Sequence, residues 1–223
     1  MNIGVAMFVT GTSIDVAPLA RRCEELGFES LWVPEHPAIP VNAKTPFPGS
    51  PDGVIPHNYS QIVDPFIALA RASAVTSTLK LGTGICLVPE RHPILLAKEI
   101  ASLDYFSGGR FLFGIGTGWL REETELFGVQ FKDRVRYTRE SILAMKELWT
   151  KEESEFHGKL VDFPPVKSFP KPAQKPHPPV YLGGMARNVL QRVVAWGDGW
   201  MPTRVTPDQI RKGRRELDRL ARE

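Results

Sequence analysis

Of the five histidines in the chain, one stands where it could exchange protons with a bound molecule. His36 follows Glu35 in the run Pro34-Glu35-His36-Pro37, directly after the apolar stretch Ser30–Val33. An imidazole with a pKa of about 6.5 gives and takes protons at neutral pH. The adjoining Glu35 could orient it or favour its charged form; a plain hydrogen-bonded loop histidine fits the same residues. His57, His92, His157 and His177 have no comparable setting. Neither an HxH nor an HExxH pattern occurs, and no Cys/His cluster, so no metal site is expected. A G-x-S-x-G elbow is also missing, which argues against a serine hydrolase.

Glycine-rich runs are the second chemical feature. Gly82-Thr83-Gly84-Ile85, Gly114-Ile115-Gly116-Thr117-Gly118-Trp119 and Gly183-Gly184-Met185 each close or follow an apolar run, and the polar end Met201-Pro202-Thr203 does the same without glycine. Gly114-x-Gly116-x-Gly118 is not the dinucleotide fingerprint, which reads G-x-G-x-x-G and opens directly into a helix near the first strand. That argues against a nicotinamide site. Gly183-Gly184 before a helix offers bare backbone amides, a setting that favours phosphate or another anion. Arg187 in the first turn would oppose the helix dipole unless an anion sits there. A tight turn with a solvated arginine is the other reading.

The elements that must position these residues follow from pattern and punctuation. Strands are expected at Ile3–Phe8, Ser30–Val33, Leu79–Leu87, Phe111–Ile115, Val180–Leu182 and Gly199–Met201. Helices are expected over Ile14–Leu26, from Val63-Asp64-Pro65 to about Thr76, and from His92-Pro93 to Ser107-Gly108-Gly109. Further helices cover Arg134–Trp149 and Arg187–Trp196, and a last one starts at the capping box Thr206-Pro207-Asp208-Gln209. Six βα units in a row imply a parallel sheet covered by helices, wound as a barrel or doubly wound. In either, the active site lies at the C-terminal strand ends, where the histidine and the glycines converge. Fourteen of the 20 prolines lie in Pro34–Pro56 and Pro164–Pro179, two insertions after the second and before the fifth strand.

At 223 residues, 42% hydrophobic and 24% charged, the chain reads as one globular domain. No apolar run approaches the ~20 residues of a membrane helix, and Met1-Asn2-Ile3-Gly4-Val5 lacks a basic leader, so a soluble, cytoplasmic protein is expected. The net charge of +3 comes entirely from Ile210–Glu223, which reads as a solvated helix rather than a nucleic-acid face. Cys23 falls on the apolar stripe of its helix, and the two cysteines read as reduced and structural. A small-molecule substrate, not nucleic acid or a membrane, is the expected partner.

These strand-end motifs resemble the luciferase-like monooxygenase superfamily, flavin- or deazaflavin-dependent (β/α)8 barrels. The likeness is carried by Gly27-Phe28-Glu29-Ser30-Leu31-Trp32-Val33-Pro34-Glu35-His36, Leu81-Gly82-Thr83-Gly84-Ile85, and Leu103-Asp104-Tyr105-Phe106-Ser107-Gly108-Gly109-Arg110-Phe111. It continues through Gly114 to Glu123, Pro178-Pro179-Val180-Tyr181-Leu182-Gly183-Gly184 and Gly197-Asp198-Gly199-Trp200. Within the superfamily the chain looks most like the coenzyme F420-dependent oxidoreductases. The resemblance implies one barrel domain over 1–223, C-terminally incomplete, with six βα units and the last two absent. It implies His36 as the active-site histidine, Glu35 as a cofactor-contacting acid, and a cis non-proline peptide at Gly84-Ile85 under the cofactor ring. Phosphate and ribityl contacts would fall on Thr117, Gly118, Gly183, Gly184, Met185, Ala186 and Arg187. Trp119 replaces the catalytic glutamate of the sugar-phosphate dehydrogenases in the group and would wall the substrate pocket. The implied activity is hydride transfer with coenzyme F420; the alternatives are an FMN-dependent monooxygenase using O2 and a non-catalytic flavin-binding protein. A homodimer is the family expectation.

Overall fold

The computed structural model describes residues 2–223. Seven strands form one sheet: β1 (Gly4–Ala6), β2 (Ser30–Val33), β3 (Lys80–Thr83), β4 (Cys86–Leu87), β5 (Phe111–Gly116), β8 (Val180–Gly183) and β9 (Gly199–Met201). Between them run α1 (Val16–Glu25), α2 (Pro65–Ser73), α3 (Pro93–Ser107), α4 (Arg121–Leu126), α5 (Arg134–Thr150), α6 (Val189–Trp196) and, last, α7 (Pro207–Leu220). A separate antiparallel hairpin, β6 (Ser154–His157) with β7 (Asp162–Val166), follows α5.

Every pairing in the large sheet is parallel, and the strands lie in chain order, β1-β2-β3-β5-β8-β9. A doubly wound sheet reverses its order at a switch point. Here each new strand joins the same side, which is barrel order, so the fold is six βα units of a (β/α) barrel.

The predicted signals act where expected. Asp15 accepts the Ala17 N–H at 2.7 Å, and Asp64 accepts those of Phe66 and Ile67, with Pro65 at the first position of α2. Gly108, at φ 68°, ends α3 in the left-handed conformation. Thr206 and Gln209 form the capping box of α7. Phe111 to Ile115 of β5 is buried at every position, as a strand covered on both faces demands. Cys23 and Cys86 are buried free thiols.

The expected single strand over Leu79–Leu87 is broken. Gly82 pairs with Leu112 and Cys86 with Ile115, so the first chain takes four steps where β5 takes three. The extra residue makes a bulge, and the Gly84-Ile85 peptide within it is cis. Sequence patterning also missed α4, too short to show a period, and the β6–β7 hairpin, whose second strand contains Pro164 and Pro165. The α6 helix starts at Val189 rather than Arg187, so Arg187 precedes the helix instead of sitting in its first turn.

One side chain stitches α1 to the sheet. Glu24 accepts the N–H groups of Ser77, Thr78 and Leu79 at 2.6–2.9 Å, and the Thr78 hydroxyl. Led by the Thr78 N–H, these bonds hold its carboxyl down to about 2, against an ordinary 4.5. The stabilisation is therefore present above pH 4.5 and lost as pH falls towards 2. Glu24→Gln should cost about 1 kcal/mol at neutral pH, a charge-assisted bond discounted for partial exposure. In urea titrations the gap to wild type should close steadily on acidification below pH 4.5.

Candidate active site

A cavity of about 600 Å³ opens at the C-terminal ends of the strands. His36, only 9% exposed, sits in its wall just after β2. Its Nδ1 lies 2.6 Å from Oε2 of Glu123, a fully buried residue of α4. The other carboxylate oxygen accepts the Ala38 N–H at 3.2 Å. A carboxylate can only accept, so Nδ1 carries the proton and Nε2 is left with a lone pair. The Trp119 indole N–H donates to that Nε2 over a long 3.4 Å, leaving it open to a stronger partner.

Glu35 does not orient His36. Its oxygens accept Arg91 Nε–H and the Leu87 N–H, each at 2.7 Å. Arg91 in turn pairs with Asp64 and, at 3.1 Å, with Glu99. The reason is geometric: neighbouring residues in extended chain point to opposite sides. A third buried acid, Glu90, follows β4. Its Oε1 is 3.4 Å from the Thr124 hydroxyl and its Oε2 has no partner. Burial, then the neighbouring charges of Glu123 and Glu35, push its carboxyl up to about 9.

Gly84 and Ile85 of the bulge both line the cavity and stay partly exposed to it. The Ile85 side chain fills space that glycines leave. A Cβ on Gly116 would come 1.9 Å from its Cδ1, and one on Gly183 would come 2.9 Å from its Cγ2. Gly116 and Gly183 thus seat the bulge. The Gly184 N–H is not bare: it donates to Met201 O at 3.1 Å, while its carbonyl accepts from Trp200 Nε1. Gly118 adopts φ 75° and packs beside Thr124, where a Cβ would come 2.9 Å from the hydroxyl.

Of the residues singled out from the sequence, Glu35, His36, Gly84, Ile85, Trp119 and Met185 line the cavity. Thr117, Gly118, Gly183, Gly184, Ala186 and Arg187 are not in its lining, and Arg187 is exposed.

Sequence reasoning missed Glu123 and the aromatic enclosure. The Tyr59 ring lies 5.1 Å from the His36 ring and tilted to it, and Phe47 lies 5.1 Å from Tyr59 and 5.4 Å from Trp119; Phe8 completes the group. The first proline-rich insertion carries Phe47, and Glu122 holds it in place. Glu122 accepts the Lys44 and Thr45 N–H groups and, at 2.7 Å, the Thr45 hydroxyl. Against an opposing effect of burial, these bonds keep its carboxyl at about 2. The adjacent pair Glu122-Glu123 after Trp119-Leu120 was the one available signal, two acids suited to opening a short helix.

No helix among the described residues is long and apolar enough to cross a membrane. Residues 9–223 match the family described as luciferase-like monooxygenase. An uncharacterized protein of Mycobacterium tuberculosis is 40% identical over 206 residues, which span 91% of this chain and 72% of the relative. The FMNH2-dependent dimethylsulfone monooxygenase of Pseudomonas putida is 36% identical over 129 residues, 55% of this chain and 35% of that enzyme. Among solved structures, monooxygenase RslO1 from Streptomyces bottropensis superposes with a TM-score of 0.82 at 26% identity, over 99% of this chain and 66% of RslO1. An F420-dependent secondary alcohol dehydrogenase in complex with an F420-acetone adduct shares the fold with a TM-score of 0.74 at 22% identity, over 97% of this chain and 64% of the enzyme. The chain therefore spans about two thirds of the length of these structures. By its matching residues and the order of its strands, it belongs to the luciferase-like monooxygenase family.

Proposed function

We propose that this chain carries the active site of an oxidoreductase that uses coenzyme F420 to move a hydride to or from a small organic substrate. The observation that carries the reading is His36, held by the buried Glu123 and lining one cavity with the Gly84-Ile85 bulge. A planar tricyclic ring fits this wall: Ile85, Leu87, Phe8 and Trp119 are apolar or aromatic, and the partly exposed Gly84-Ile85 peptide would lie against it. A cavity of about 600 Å³ is also of ligand-binding size. When bound, the deazaflavin supplies a carbon centre that gives or takes a hydride.

The chain's own residues handle the proton. His36 Nε2 would take it from a substrate hydroxyl as the hydride leaves, or return it to a carbonyl oxygen in the reverse direction. Glu123 fixes the ring through Nδ1 and stabilises the imidazolium once formed, and Ala38 N–H keeps the carboxylate from turning. Trp119 Nε1–H is a second donor beside the same site. Arg91 is taken up by Glu35, Asp64 and Glu99, and Glu90, buried beside Glu123 and Glu35, stays as the neutral acid. The likeness to the dimethylsulfone monooxygenase supports a second reading, a reduced-FMN monooxygenase on the same frame.

Turnover is read by F420 absorbance against a panel of secondary alcohols, and by O2 uptake with reduced FMN. His36→Ala should lower turnover at least ~100-fold, the lower range for acid–base catalysis, with cofactor affinity kept. Glu123→Gln should lose at least ~10-fold, because an amide can orient the ring but cannot balance its charge. Turnover only with FMN and O2 would favour the second reading, and unchanged turnover in His36→Ala would remove the histidine from the chemistry. Glu90 makes a separate prediction about stability. Between pH 4.5 and about 9 the folded chain keeps a Glu90 proton that the unfolded chain has lost, so Glu90 lowers stability as pH rises. Glu90→Gln should raise the melting temperature, by an increment that grows from pH 5 to pH 9.

A further inference from the structure

One charge in the cavity wall has no counter-ion. Glu35 is balanced by Arg91, but Arg204, which follows β9 and is exposed at the cavity's edge, forms no salt bridge among the described residues. Among the described residues its one hydrogen bond is long, 3.3 Å from Nη1 to the carbonyl of Pro48. The guanidinium lies 5.9 Å from the centre of the Phe47 ring. It is also close enough to Tyr59 to oppose the effect of burial on that phenol.

Two features of the backbone aim it there. Arg204 is the one non-glycine residue with positive φ among the described residues, at 54°, a conformation seldom kept without a reason. Opposite it, Gly49 leaves room that a side chain would take: a Cβ there would come 2.5 Å from Nη2 and 2.2 Å from the Phe47 ring. The first insertion and the loop after β9, 156 residues apart, therefore meet around this guanidinium. Phe8, Phe47, Tyr59, Trp119 and Ile85 give the wall an aromatic and aliphatic face, with Thr203 and Gln209 as polar neighbours of the arginine in chain or lining.

We infer that Arg204 receives the anionic group of the substrate, so that this cavity takes a small apolar or aromatic carboxylate whose reacting oxygen is turned to His36. The inference rests on the proposal that the cavity is the substrate site. A planar guanidinium binds a carboxylate through two parallel N–H bonds, and a phosphate equally well, so the cofactor's own phosphate is the competing source of the same chemistry.

The test compares sodium benzoate with benzamide, which match in size and shape and differ in charge, by calorimetric titration of the purified cofactor-free protein. Wild type should bind benzoate at least tenfold more tightly than benzamide. Arg204→Gln should erase the difference, Arg204→Lys should keep part of it, and both variants should bind benzamide as wild type does. Equal binding of the two probes by wild type would overturn the inference, as would a benzoate preference that survives Arg204→Gln. A second arm titrates FMN and coenzyme F420 into wild type and Arg204→Gln by cofactor fluorescence. Cofactor affinity lost in the variant, with benzoate preference intact, would move the anion to the cofactor and overturn the assignment to substrate. The benzoate arm uses no cofactor. Failure of wild type to bind either cofactor would therefore count against the proposed function and leave the Arg204 comparison readable.

Discussion

A buried carboxylate and a buried imidazole need each other, and the site is arranged around that need. Glu123 is fully enclosed and His36 nearly so. A lone carboxylate in such a place is strongly disfavoured, and removing one partner of a buried pair typically costs about 3–5 kcal/mol. The 2.6 Å contact between them, with Ala38 N–H on the second oxygen, resolves that and fixes which nitrogen of His36 faces the cavity. It also joins two distant parts of the chain, the loop after β2 and the short helix α4.

The two successive acids of α4 have opposite tasks. Glu123 points inward and sets the histidine; Glu122 points outward and holds the first proline-rich insertion through Lys44 and Thr45. That insertion brings Phe47 to Trp119 and Tyr59, which enclose His36. The wall that holds His36 and its cover are thus anchored by one six-residue helix. Across the cavity, the bulge between β3 and β4 projects because Gly116 and Gly183 leave room for Ile85 beneath it.

Much of the fold could be read from the residues because its signals are local. Asp64-Pro65, Gly108 and the Thr206–Gln209 box each set an element end by hydrogen bonds within a few positions. Strand order was not local: alternating units allow a barrel or a doubly wound sheet, and only the pairing of β2 with β3 and of β3 with β5 decides between them. The same divide runs through the site. His36 stood out by its place after a strand, but its partner lies 87 residues away on a helix too short to show periodicity. Glu35 seemed the natural companion because it is adjacent, and adjacency in extended chain is what sends it the other way, to Arg91. The glycines were legible as a group and not by role: Gly116 and Gly183 make room for a side chain, and the Gly184 amide is bonded to Met201.

The most direct test of this account is the proton on His36 Nδ1. Nitrogen-15 NMR of histidine-labelled protein should show an Nδ1-bound proton at low field, and Glu123→Gln should shift or broaden it away while the other four histidines keep their signals. An Nδ1 without a proton in wild type, or a His36 signal indifferent to Glu123→Gln, would contradict the pairing on which the site is built.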